Sequence, residues 1–415
     1  MRPTESDLIY DWNRAEGAMQ PARGKVELND ETLRDGLQSP SVRTPAIEQK
    51  LEILHALAAI GIDSLNIGLP GAGPHVVADV TLLAREIVEK KLPIAANCAA
   101  RTLEADIRPI VEIAQKTGLA IEAATFLGSS PIRQYTEGWE MEKLVALTRE
   151  AVGFATREGL PVMYVTEDTT RARPEDARRL YLTAIEAGAR RICIADTVGH
   201  ATPDGTRNVV RFLRGVVDGS GATVAVDWHG HNDRGLGVAN AIAAAEAGAD
   251  RVHGTILGIG ERVGNCALDQ LLVNFELLGW SRRNVRPLAA LCELVSRATG
   301  TPIPDSYPVI GRDAFRTQTG VHAAAILKAR AKGDDWLADR IYSGIPAAMV
   351  GRHQVVDVGP MSGQANVNYW LQQRGIEPTP ELVQEIFQAG KAASATLEAE
   401  AILAICRRHQ RPGAG

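Results

Sequence analysis

Residues 188–196 read Gly-Ala-Arg-Arg-Ile-Cys-Ile-Ala-Asp, and this stretch contains the pattern that decides the fold. A segment with helical periodicity ends at Gly188, and a short apolar run begins within three residues of it. Glycine is favoured just after a helix because it adopts the left-handed conformation without a Cβ penalty. The stretch therefore predicts a helix that leads into a buried strand, with Asp196 at the carboxyl end of that strand.

The same junction recurs along the first 280 residues. It is found at Gly61, Gly118, Gly159, Gly188 and Gly248, and the apolar runs that follow cover residues 64–67, 120–125, 161–166, 191–196 and 251–255. Three further runs, 25–30, 93–97 and 223–229, fill the gaps between them. Eight strand candidates separated by helical segments predict a (β/α)8 TIM barrel.

The alternation of predicted strands and helices ends after about Gly279. Prolines interrupt the next stretch, at Pro287, Pro302, Pro304 and Pro308. We therefore predict an α/β protein with three parts: an N-terminal extension (1–24), a TIM-barrel catalytic domain (25–279), and a linker with a smaller, mostly helical C-terminal domain (280–415).

Composition indicates which classes of partner to expect. The chain has 415 residues, a net charge of -5 and a pI near 6.0, with its basic residues scattered, so we expect neither nucleic acid nor membrane as a partner. Residues 1–17 contain no apolar run long enough for a signal peptide, and the five cysteines form no CxxC pair. These features favour a cytoplasmic enzyme of small-molecule chemistry, without disulfides.

The ends of the first and seventh predicted strands carry a candidate metal site. The first is followed by a loop that contains Arg34, Asp35 and Gln38, and the seventh ends in His229-Gly230-His231. Residues i and i+2 of a strand share a face, so both imidazoles can point into the barrel mouth. With Asp35 they offer a facial set of two nitrogens and one oxygen for a divalent metal such as Mg, Mn or Zn. The alternative is that the two histidines only cap a strand.

A glycine-rich loop, Gly258-Ile259-Gly260-Glu261-Arg262-Val263-Gly264-Asn265, follows the eighth predicted strand. Such a loop lets backbone approach a ligand closely. A dinucleotide site is not expected, because no acidic residue ends a following strand.

Together, the segments Thr32 to Gly36, His229 to Asp233 and Gly260 to Asn265 resemble the metal-dependent acyl-CoA condensing and lyase superfamily. This superfamily includes isopropylmalate, homocitrate and citramalate synthases and hydroxymethylglutaryl-CoA lyase. The resemblance runs from about Glu27 to Gly363. It implies a Claisen-type condensation of an acyl-CoA, which we expect to be acetyl-CoA, with a 2-oxo acid.

The resemblance also implies roles for residues at the barrel mouth. Asp35, His229 and His231 match the metal ligands, with Asn265 close to the ion, and Arg34 matches the residue that stabilises oxyanion charge.

Further roles concern the substrates. Thr197 matches the residue that touches the carboxylate of the 2-oxo acid, and Glu167 matches a residue beside the reacting centre. Gln38 is a candidate substrate-binding amide. In the second domain, His322 matches a catalytic histidine and Tyr342 a tyrosine near it, and the resemblance implies a homodimer with shared active sites.

Two positions depart from the synthase pattern. Leu37 stands where the synthases usually have Glu, and Asn66 where a carboxylate is frequent. Two alternatives therefore stay open: cleavage of the lyase or aldolase type, and a non-catalytic metal-binding relative.

The strand that leads to Glu167 bears on the choice of 2-oxo acid. Homocitrate synthases place an arginine four residues before the matched glutamate, and here that position is Met163. A thioether cannot pair with the distal carboxylate of 2-oxoglutarate, so we predict a 2-oxo acid with a neutral side chain. Arg133, after the fourth predicted strand, is the alternative cation that could bind a dicarboxylate.

Overall fold

The computed structural model describes residues 4–14 and 19–410, so part of the predicted extension 1–24 lies outside the described residues. The chain divides into two compact units. The first runs to Asn284 and includes Ala290–Pro302; the second comprises Val285–Ala289 and the residues from Ile303 onward.

Eight parallel strands form a closed barrel in the first unit, in chain order, with β1 paired to β8. They are β1 Glu27–Asp30, β2 Ser64–Asn66, β3 Ala95–Arg101, β4 Ile121–Gly128, β5 Val162–Glu167, β6 Arg191–Asp196, β7 Ala225–Gly230 and β8 Arg251–Gly254. The predicted TIM barrel is confirmed.

Helices accompany these strands. They are α1 Glu5–Leu8, α2 Ile47–Ile60, α3 Pro74–Glu89, α4 Glu104–Thr117, α5 Pro131–Glu137, α6 Met141–Arg157, α7 Pro174–Glu186, α8 Pro203–Gly219, α9 Gly237–Ala247, α10 Leu268–Leu278 and α11 Leu288–Thr299, which belongs to this unit from Ala290 onward. Gly61, Gly118 and Gly248 end α2, α4 and α9 in the left-handed conformation, as the junction pattern predicts.

Polar side chains fill part of the barrel interior below the mouth. Ser64 Oγ and Asn97 Nδ2 each donate to Asn29 Oδ1 at 2.7 Å. Arg251 donates from Nε to Asp227 Oδ2 at 2.6 Å. Because these groups are buried, their mutual hydrogen bonds are what make a polar interior tolerable.

The second unit contains α12 Gly320–Ala331, α13 Asp335–Arg340, α14 Gln364–Gln372, α15 Pro380–Ala392 and α16 Ala399–Gln410, with a two-stranded parallel sheet of β9 Arg316–Thr317 and β10 Val355–Val356. Trp370, Leu371, Ile386 and Ile402 are among the residues of its main apolar cluster. No helix in residues 4–14 or 19–410 has both the length and the apolar character to span a membrane.

Candidate active site

A cavity of about 220 Å³ opens at the carboxyl ends of the barrel strands. One part of its wall is polar and includes Arg34, Gln38, Thr197 and Glu167. Parallel strands place their carboxyl ends at one face of a barrel, so residues from distant parts of the sequence meet there.

Asp35, His229 and His231 form a buried cluster at this mouth. Oδ2 of Asp35 lies 3.5 Å from His229 Nε2 and 3.8 Å from His231 Nε2. One potential ligand atom from each residue lies within 4.8 Å of the others. Two imidazoles and a carboxylate arranged in this way offer three ligands on one side of a metal ion and leave positions for substrate.

The donor atoms fit a cation. Asp35 Oδ1 and Asn265 Oδ1 are buried and have no hydrogen-bond partner among the described residues. A buried oxygen without a partner is costly, and a bound cation removes that cost. Burial, together with the neighbouring His229, lowers the pKa of His231, which favours the neutral ring that binds metals.

The glycine-rich loop carries Asn265 to this cluster. Asn265 forms an isolated antiparallel bridge with His231, and its Nδ2 donates to Ile259 O at 3.1 Å. A Cβ at Gly260 would lie 2.1 Å from Asn265 Nδ2 and 3.5 Å from Asp35 Oδ1. A Cβ at Gly264 would lie 1.8 Å from the carbonyl oxygen of Gly258. The glycines therefore allow the loop to fold tightly over the cluster.

Arg34 lies next to the cluster and lines the cavity. Its Nη1 donates to Asp35 Oδ2 at 3.2 Å and to Gln38 Oε1 at 3.3 Å, and its Nη2 lies 3.0 Å from Glu31 Oε1. Its Nε is buried without a partner among the described residues. One N–H of the guanidinium thus makes no hydrogen bond to the described residues.

Glu167 and Thr197 lie on the wall of the same cavity. Burial raises the pKa of Glu167 above its usual value, and the charge of Arg133 opposes that shift. The hydroxyl of Thr197 accepts a hydrogen bond from Asp168 N at 2.8 Å, so its own proton can be donated to a ligand.

The cavity also has an apolar wall, formed by Ala99, Ala124, Phe126, Met163 and Val165, among others. Met163, Val165 and Glu167 are alternate residues of β5 and all line the cavity, and Met163 is only 1% exposed.

Arg251 approaches this wall from below. Its Nη2 lies 3.3 Å from Met163 Sδ, and the guanidinium already binds Asp227 and Glu122. Its charge is therefore compensated by protein carboxylates.

Arg133 lies at the edge of this region. It is 41% exposed, and its guanidinium is 3.2 Å from Glu137 and 3.8 Å from Glu167. Arg133 is not among the described residues that line the cavity. Its role in substrate binding stays a prediction.

His322 and Tyr342 belong to the second unit. Their rings stack on each other, with His322 on the first turn of α12. Their catalytic roles also stay predictions.

Glu31 and His253 are among the residues of the cavity wall that received no role from the sequence. Oε2 of Glu31 lies 2.8 Å from His229 Nδ1, and Oε1 lies 3.2 Å from His253 Nδ1. The sequence feature that could have identified them is a carboxylate directly after β1 and a histidine within the apolar run of β8, since both residue types are rare in buried strands.

Comparison with known proteins identifies similar sequences over most of the chain. A family model described as HMGL-like matches residues 25–296. The homocitrate synthase AksA of Methanopyrus kandleri is 35% identical over 89% of this chain and 87% of its own length. A probable 2-isopropylmalate synthase of the same organism is 32% identical, over 88% and 69%. A putative (R)-citramalate synthase CimA of Methanosphaerula palustris is 33% identical, over 87% and 68%.

Among solved structures, the HMG-CoA lyase of Bacillus subtilis is similar in fold. It has a TM-score of 0.57 and 19% identity, over 69% of this chain and 97% of that one. At this identity the likeness shows the barrel fold alone.

Proposed function

Because the chain belongs to the HMGL-like family, we propose that it is an enzyme that joins acetyl-CoA to a 2-oxo acid by a Claisen-type condensation. The products are CoA and a 2-hydroxy acid of the alkylmalate type. Relatives named as homocitrate, 2-isopropylmalate and citramalate synthases are 32–35% identical over 87–89% of the chain. The single observation that carries the proposal is the cluster of Asp35, His229 and His231 beside Arg34 in one cavity.

A divalent metal is expected at that cluster, held by Asp35, His229 and His231 with Asn265 beside it. When bound, the ion supplies Lewis-acid activation of the keto group of the 2-oxo acid. The candidate ions are Mg, Mn and Zn. Thr197 donates its hydroxyl proton to the carboxylate of the 2-oxo acid and so orients it.

Bond formation requires a base and a group that donates hydrogen bonds to the developing oxyanion. His322, assisted by Tyr342 and Glu167, removes a proton from the methyl group of the thioester. The resulting enolate carbon attacks the keto carbon, and the former keto oxygen gains negative charge that Arg34 stabilises. Loss of one such preorganised donor costs about 3 to 4 kcal/mol, or roughly 100- to 1000-fold in rate. Water then hydrolyses the thioester and releases CoA.

The side chain of the 2-oxo acid is expected to be neutral. Among the described residues that line the cavity, those of the apolar wall around Met163 and Val165 include no lysine or arginine. Arg251, behind Met163, is bound to two carboxylates. A substrate carboxylate placed there would be buried without a partner, which is costly. 2-Oxoisovalerate and pyruvate fit this wall better than 2-oxoglutarate.

The working unit is expected to be a homodimer in the cytoplasm, acting in amino-acid biosynthesis. His322 and Tyr342 of the partner subunit would complete each barrel site. Tyr342 is 49% exposed, which suits a residue that meets a surface outside its own unit.

Release of free thiol from acetyl-CoA tests the proposed reaction. We expect thiol release that depends on a 2-oxo acid and on a divalent metal. Arg34→Ala serves as the matched inactive control. Cleavage of a 3-hydroxy acyl-CoA, with no thiol released from acetyl-CoA by any 2-oxo acid, would instead establish a lyase.

A further inference from the structure

Glu31 contacts one of the candidate metal ligands from behind. It follows β1 directly, is 2% exposed, and its Oε2 lies 2.8 Å from His229 Nδ1. The other ring nitrogen, His229 Nε2, faces Asp35. The imidazole therefore lies between two carboxylates, one on each ring nitrogen.

Two basic side chains lie within ion-pair distance of Glu31. Arg34 Nη2 lies 3.0 Å from its Oε1, and His253 Nδ1 lies 3.2 Å from the same oxygen. Asn29 Nδ2 adds a longer hydrogen bond to it, at 3.4 Å. Oε1 of the carboxylate therefore has three nitrogen-bearing side chains close to it, and Oε2 is the oxygen nearest His229.

His253 extends these contacts into the barrel interior. Its Nε2 lies 2.8 Å from Asp227 Oδ2, and Asp227 accepts hydrogen bonds from Arg251 at 2.6 Å and Arg191 at 2.7 Å. A continuous series of close contacts between ionisable side chains therefore runs from Arg251 and Arg191 through Asp227, His253 and Glu31 to His229.

We propose that Glu31 and His253 are positioning residues for the metal site. Glu31 keeps the proton of His229 on Nδ1 and turns Nε2 toward Asp35, and His253 braces Glu31 against Asp227. The inference rests on the metal site of the proposed function. Metal-binding histidines commonly donate their second ring N–H to a carboxylate, and removal of that partner typically weakens metal affinity about 10- to 100-fold.

The second imidazole of the cluster lacks an equivalent contact. His231 Nδ1 is buried and has no hydrogen-bond partner in the part of the chain that the structure describes. Side chains thus contact the His229 ring on both nitrogens, whereas the bridge between His231 and Asn265 joins their backbones. Loss of Glu31 should act on His229.

Metal affinity, measured without substrates, tests the proposal. Apo protein is titrated with Zn²⁺ or Mn²⁺ in competition with a chromophoric chelator. In Glu31→Gln one carboxylate oxygen is replaced by an NH₂ group, which cannot accept a hydrogen bond from His229 or from Arg34. We expect the affinity for the metal ion to fall about 10- to 100-fold. Glu122→Gln is the matched control, because Glu122 binds Arg251 and Arg191 in the same interior without contacting His229.

A second variant guards against a folding defect. His253→Gln leaves Glu31 in place and is expected to weaken metal affinity by a smaller factor. The unfolding temperature of the metal-free protein measures any general loss of stability. Equal affinity in wild type and Glu31→Gln overturns the positioning role, and so does an equal loss in Glu122→Gln. Wild-type protein that binds neither ion overturns the metal site of the proposed function as well.

Discussion

The rings of His322 and Tyr342 stack with their centroids 4.0 Å apart and their planes 26° from parallel. His322 lies on α12 and Tyr342 follows α13, and these two helices pack together. Contact between the rings limits the orientations of the imidazole, which the proposed role of His322 as a base would require.

Mixed dimers test whether the active site is shared between subunits. His322→Ala and Arg34→Ala are each expected to be inactive. If each site combines a barrel with the partner's His322, heterodimers of the two variants contain one intact site and regain up to about half of the wild-type activity per heterodimer. Thiol release after mixing measures this. No recovery after proven subunit exchange would count against a shared site.

Removal of a candidate ligand tests the metal site. Asp35→Ala and His229→Ala each delete one of three ligands. We expect both to lose stoichiometric binding of a divalent ion and to show no turnover, since two remaining ligands hold an ion weakly. Metal analysis after gel filtration gives the bound ratio. Undiminished metal content in both variants would show that the ion binds elsewhere.

The apolar wall beside Met163 predicts the preferred 2-oxo acid. We expect kcat/KM to be at least tenfold higher for 2-oxoisovalerate or pyruvate than for 2-oxoglutarate or oxaloacetate, at saturating acetyl-CoA. Tenfold corresponds to about 1.4 kcal/mol of transition-state binding. A tenfold preference for a dicarboxylate would contradict the neutral wall, and Arg133 would then be the residue to replace.

A substitution at Gly264 tests whether the glycine-rich loop must keep its conformation for the metal site to form. In Gly264→Ala the new Cβ meets the carbonyl oxygen of Gly258, so the loop must move and Asn265 with it. We expect weaker metal binding and loss of most activity. Gly235→Ala is the control: its φ of +70 imposes similar backbone strain, about 1 to 2 kcal/mol, but no atom lies within 4 Å. An equal loss of metal affinity in both would point to strain alone.

Titration of Asp30 is expected to contribute to the pH dependence of the free energy of unfolding. Burial raises the pKa of Asp30 to about 7, although Thr32 donates two hydrogen bonds to its carboxyl group. The folded state therefore holds a proton that the unfolded state releases near pH 4, so this contribution is present at low pH and lost as pH rises through 7.

Asp30→Asn removes this titration. From pH 5 to 7 we expect wild type to lose stability relative to the variant by up to about 1.4 kcal/mol per pH unit. Urea unfolding of both proteins across this range measures the difference. Parallel pH profiles would mean that Asp30 is ionised throughout.

Much of the fold could be predicted from local sequence. A glycine that ends a helix and an apolar run that follows are properties of neighbouring residues. This junction identified five of the strands, and apolar runs between them identified the other three. The ends of the strands were less certain. β3 extends to Arg101 and β4 to Gly128, beyond the predicted ends, because Ala99 and Ala100 have little preference for a strand and are held by pairing with β4.

The sequence by itself determined that Asp35, His229 and His231 lie at one end of the barrel, since parallel strands share that end. Only the tertiary structure decided that Glu31 and His253 meet behind His229. Closure of the barrel pairs β1 with β8 and sets Asn29 opposite His253, so that side chains from the first and last strands share one interior. That contact joins residues far apart in the chain, and no local periodicity encodes it.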